Sequence, residues 1–133
     1  MRQTLALMGL CISTVALADV RVENPWIRLL PPGVHATSGY MTLTSDRHDR
    51  LLSVSTPIAH MVEIHRSSME NGMMQMDQVS GLELKESVRV ELAPGGYHLM
   101  LMGLNQPLSS ETKVSLTLTF EHAEPLTVEA QVK

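Results

Sequence analysis

"KVSLTLTF", residues 113–120, alternates without a break: Val114, Leu116, Leu118 and Phe120 fall on one side, Lys113, Ser115, Thr117 and Thr119 on the other. A period of two belongs to a strand with one face in a core and one in water. "SVRVEL" (87–92) and "LTVEAQV" (126–132) repeat the habit, and "GYMTLTS" (39–45) and "RLLSVSTP" (50–57) are shorter versions divided by the polar turn "SDRHD". "NPWIRLLPPG" (24–33) is expected at a sheet edge, because proline cannot donate to a ladder. No segment holds a helical period. The pattern predicts an all-β domain of about seven to nine short strands, a Greek-key β-sandwich.

The first 18 residues read as an address. "MRQTLALMGLCISTVALA" has Arg2, an apolar run from Leu5 to Leu17, and small residues at Ala16 and Ala18. That is a secretory signal peptide at 1–18 with a cleavage site before Asp19, leaving 19–133 as a single domain. The apolar run is too short for a permanent membrane span, so no membrane insertion is expected after cleavage. Cys11 follows Leu10 rather than a small residue, so no lipid-attachment site is read there. It is also the chain's one cysteine, so the exported domain carries neither disulfide nor thiolate. The net charge is −4 and no Lys/Arg run appears, which argues against nucleic acid as a partner. The compositional anomaly is methionine: ten in the chain, of which only Met1 and Met8 fall in the leader.

Two turns organise the unusual residues. "PGG" (94–96) suits a type II turn and is expected to join 87–92 to 97–103 as a hairpin. "NG" (71–72) is a strong hairpin signal. As a two-residue loop it sets Glu70 opposite Met73, Met69 opposite Met74 and Ser67 opposite Met76. His65, Met69, Met74 and Met76 then share a face, with His65 and Met76 diagonal at roughly 7–8 Å between backbones. In "GGYHLMLMGL" (95–104), His98 and Met100 also share a face, about 6.5–7 Å apart along the strand. Two imidazoles and two thioethers make a neutral donor set, His65, Met76, His98 and Met100. Thioether sulfur favours Cu(I) over zinc, calcium or magnesium. A structural zinc site would want Cys or mostly His, and a blue-copper site or a c-type haem needs cysteines that the domain lacks. Thioethers also form no disulfides after export, and their sulfoxides can be repaired.

The spacing His65-x10-Met76-x21-His98-x-Met100 resembles the H(M)-x10-M-x21-H-x-M signature of the periplasmic copper chaperones called PCu(A)C. "NPWIR", "SGYMTL", "HMVEIH", "GMMQM" and "PGGYHLMLMGL" look like that family's blocks, in its order, across the whole of 19–133. The resemblance implies a cupredoxin-like sandwich and a monomer binding one Cu(I) ion in the periplasm. It also implies delivery of copper to the CuA subunit of cytochrome c oxidase, with a Sco-type protein as a further partner. There are two departures. Ser45 stands where many relatives have Asn, which alters a turn, and the sequence ends at "VEAQVK" where several relatives continue into a His/Met-rich tail that holds a second copper ion, so the resemblance does not extend to that second site or to a Cu(II)-handling role.

The other candidates are given lesser parts. Met41 is assigned to the core, since a strand methionine is usually packing. His60 lies on the opposite face from His65 and is read as structural or as supporting a ligand, while His35, His48 and His122 are expected in solvent. Met61, Met69, Met73, Met74 and Met102 are expected to shield the ion or to stand in for a ligand. Glu63 shares the face of His65 and could orient its ring. No nucleophile–base pair or phosphate loop stands out, so no enzyme is expected. Two other readings stay open: a periplasmic copper store or tolerance protein, and a module whose Met-rich face docks a protein.

Overall fold

The computed structural model describes residues 19–133, so the leader assigned to 1–18 and Cys11 lie outside the described residues. Ten strands follow one another: β1 Val20–Ile27, β2 Ala36–Ser45, β3 Asp49–Ser55, β4 Ala59–Glu70, β5 Met73–Gln78, β6 Leu82–Leu84, β7 Val90–Leu92, β8 Tyr97–Leu104, β9 Lys113–Phe120 and β10 Leu126–Val132. They hydrogen-bond in the order β5-β4-β8-β2-β1-β10-β9-β3-β6, with β7 also on β2. Laid flat, such a path would be about 38 Å wide. Yet Leu82 and Leu84 of β6 share one core cluster with Ile64 of β4, near the other end. The sheet therefore folds over on itself into the all-β, cupredoxin-like architecture expected.

The alternating strand leads this packing. Val114, Leu116 and Leu118 are fully buried and Phe120 nearly so, while Lys113 and Ser115 are exposed. Their partners across β10 include buried Ala130, and β1 then pairs in parallel with β10 at Trp26–Gln131 and Ile27–Val132. Met41 is buried, as its place in β2 predicts. Ser45, the residue that departs from the PCu(A)C pattern, is the last residue of β2, paired with Val20, and its hydroxyl donates to the carbonyl of Arg47 in the turn that follows, at 2.5 Å.

Two expectations need correction. The segment containing Pro25 is not an edge: β1 lies between β2 and β10. The pairing with β2 shifts by one residue between Glu23 and Trp26, and Asn24 there has φ 50°. The proline is housed in a bulge, where no ladder bond is asked of it. Second, "PGG" forms the turn but not the hairpin. Gly95 has φ 86° and Gly96 N donates to Ala93 O at 3.0 Å, the geometry of a type II turn. The chain then carries on in its former direction. β7 pairs with Met41–Leu43 of β2 and β8 with Ala36–Gly39, both antiparallel. The turn is an excursion within one run along the edge of β2, which frees the other edge of β8 for β4.

Candidate metal centre

On the shared border of β4 and β8, Ile64 faces Leu99 and Val62 faces Leu101 on the core side. Ile64, Leu99 and Leu101 are buried, so a period of two sends the intervening residues outward. The outward pairs are His65 with His98, Glu63 with Met100 and Met61 with Met102. The two histidines are thus direct cross-strand partners, their ring centroids 5.7 Å apart and edge to face. His98 is buried although it sits on the outer face, and the His65 side chain is 16% exposed.

Each ring has one nitrogen engaged and one left over. The His65 Nε2–H donates to Glu63 Oε2 at 2.7 Å, and the His98 Nδ1–H donates to Gly96 O at 3.2 Å. A carboxylate and a carbonyl can only accept, so these contacts set both tautomers. The lone pairs fall on His65 Nδ1 and His98 Nε2. Both atoms are buried and have no hydrogen-bond partner. An unmet buried acceptor costs about 1–3 kcal/mol, and here two stand on neighbouring strands. Gly96 O also accepts from Ser67 N at 3.0 Å, so one carbonyl at the end of the "PGG" turn orients the His98 ring and ties β4 to β8.

Met100 and Met76 are held differently relative to this pair. Met100 lies two residues from His98 on the same face, half-buried, and Ser38 of β2 pairs on its far side. Met76 belongs to the β4–β5 hairpin, whose turn residues Asn71 and Gly72 have φ 54° and 76° as a type I′ turn needs. The register follows: Glu70 opposes Met73, Met69 opposes Met74 and Ser67 opposes Met76. Met76 therefore stands diagonal to His65, on the side away from Met100, and is 55% exposed. Three-strand pairing holds His65, His98 and Met100 together; the two-stranded arm alone holds Met76.

Among the described residues, no three His, Cys, Asp or Glu side chains gather as a metal site. The donors that share this face with the two rings include the thioethers of Met100 and Met76, and soft, uncharged donors of that kind suit a soft monovalent ion. His60 is exposed beside Gly103, away from the pair, and His35, His48 and His122 are also exposed. Sequence reasoning weighed Glu63 and missed Gly96. The i, i+2 parity of Glu63 and His65 was a usable signal; a backbone carbonyl leaves none.

The "Putative lipoprotein LpqE-like" family matches residues 20–132. The chain is 30% identical over 115 residues to "Putative lipoprotein Lxx21020" of Leifsonia xyli subsp. xyli, covering 86% of this chain and 69% of that relative. The copper-bound PCuAC domain from PmoF2 has a TM-score of 0.73 at 28% identity, over 89% of this chain and 95% of that domain. The solution structure of Cu(I)-bound DR1885 from Deinococcus radiodurans has a TM-score of 0.71 at 31% identity, over 91% and 83% of the two chains.

Proposed function

Since the chain belongs to the LpqE-like family and shares its fold with PCuAC domains, we propose that it is an exported copper carrier. It takes one Cu(I) ion on His65 Nδ1, His98 Nε2 and the thioethers of Met76 and Met100, and it passes the ion on without catalysing a reaction. The observation that carries this reading is the pair of buried imidazole nitrogens with no partner, on a face that also bears thioethers. It agrees with the copper named for two structural relatives, PmoF2 and DR1885.

The donors explain why such a site would deliver its cargo. All four are neutral, so the ion's charge stays uncompensated and binding stops short of the affinity a thiolate site reaches. In the neutral form of each ring the engaged nitrogen carries the proton, so the free nitrogens, His65 Nδ1 and His98 Nε2, are the ones turned to the ion. His65, His98 and Met100 are held by the sheet, and Met76 on the arm closes last and opens first. Candidate acceptors are the CuA subunit of cytochrome c oxidase and a Sco-type protein, reached in the periplasm after removal of residues 1–18.

The test is an anaerobic Cu(I) titration of the exported protein against a chromophoric chelator. One tight equivalent is expected, lost in His98→Ala and weakened in Met100→Ala. Absence of that equivalent would overturn the assignment. A strain lacking the gene separates delivery, which predicts low oxidase activity, from storage, which predicts poor copper tolerance alone. The exposure of Met69, Met73, Met74 and Met76 also favours a docking role for the arm. Partner binding that persists with copper chelated would identify that role.

A further inference from the structure

The β4–β5 arm carries more sulfur than one ion needs. Every residue of β5 is exposed, and the pairing of β4 with β8 ends at Arg66–Tyr97. From Met69 to Met76 the arm is a ribbon two strands wide. Met69, Met74 and Met76 are 67%, 64% and 55% exposed there, where a solvated edge would ordinarily carry Lys or Thr. The core gains nothing from them. Their placement is nonetheless ordered, for Met69 opposes Met74 directly and Met76 follows two residues on, all on the face of His65 and His98. Opposed Cβ atoms on a ribbon lie about 4.5–5.5 Å apart, and neighbours along the strand about 6.5–7 Å. Unbranched side chains with three rotatable bonds can bring three sulfurs from such positions onto one ion. Met73 opposes Glu70 and faces the other way.

We infer that Met69, Met74 and Met76 form a second, outer site for a soft monovalent cation, Cu(I) or Ag(I), which shares Met76 with the inner site. The sharing rests on the inner-site reading above. With sulfur donors only, and in water, the outer site binds more weakly and exchanges faster. Copper passes inward by ligand exchange. The Met76 bond is kept while the bonds to Met69 and Met74 break and bonds to His65 Nδ1, His98 Nε2 and the Met100 sulfur form. The ion remains Cu(I) throughout, no electron moves, and neither imidazole loses a proton.

Methionine-methyl NMR of the exported protein, titrated anaerobically with Cu(I), tests this. The first equivalent is expected to shift the methyls of Met76 and Met100 and the histidine rings. The second shifts Met69 and Met74 and leaves Met73 in place. In the double variant Met69→Leu/Met74→Leu the first phase keeps its affinity, the second phase disappears, and stopped-flow loading of the inner site slows several-fold. Resonances of Met69 and Met74 that stay fixed through two equivalents, with the first phase intact, overturn the outer site. A first phase that moves neither Met76 nor the histidine rings overturns the inner-site reading and the shared ligand with it.

Discussion

Glu63→Leu is the sharpest probe of the copper reading, because Glu63 touches no ion and acts only through His65. Its carboxylate accepts from His65 Nε2–H at 2.7 Å, with the two side chains 22% and 16% exposed. A hydrogen bond to a charged group contributes about 1.5–3 kcal/mol, and it is what holds the lone pair on Nδ1. Without it the ring divides between tautomers and is free to turn. Loss of such a partner typically costs about 10–100-fold in metal affinity, or about 1.4–2.7 kcal/mol. Glu63→Gln keeps an acceptor oxygen and is expected to lose less, about threefold. Competition titration measures the affinity, and ¹⁵N NMR of the histidine rings in metal-free protein reads the tautomer. Glu63→Leu protein that binds Cu(I) within threefold of wild type, with His65 still protonated at Nε2, would refute the reasoning.

Met100→Ala is expected to weaken Cu(I) binding more than Met76→Ala, because the sheet holds Met100 in place while the exposed arm supplies Met76; the same competition titration ranks them. Asp49 gives a pH dependence of folding. Burial pushes its carboxyl up, but backbone N–H groups of Arg50, His122 and Ala123 donate to it at 2.7, 3.0 and 2.9 Å, and together with His122 they outweigh burial and hold it below the usual range. Its folded pKa lies below the unfolded value of about 3.9, so its contribution is complete above about pH 4 and is lost as pH falls through the folded value. Asp49→Asn should cost about 1–3 kcal/mol at neutral pH and flatten the acid limb of a urea-melt series below about pH 4. Gly103→Ala should lower stability by about 1–3 kcal/mol, since φ there is 68° and a Cβ would lie 2.7 Å from the Cβ of His60; thermal melting measures it.

Much of this was legible in short stretches of chain. Period-two alternation identified the strand at 113–120 and its buried face, because a half-buried strand repeats its environment every second residue. Asn71-Gly72 settled the register of the β4–β5 arm, since a two-residue turn leaves one pairing available. Pro94-Gly95 likewise specified its turn. What lay beyond the turn was not legible. Whether β8 folds back on β7 or runs on beside β2 depends on residues some sixty positions away. The bulge at Asn24 that admits Pro25 to an interior strand depends on the same neighbour. The composition and the His–Met spacing pointed to soft-metal chemistry, but they were silent on which ring nitrogens stay free. That was decided when β4 came to lie beside β8, setting His65 against His98 and placing Gly96 O within reach of both His98 and Ser67. Periodicity and turn chemistry are carried by a few consecutive residues; a lone pair left without a partner is a property of everything packed around it.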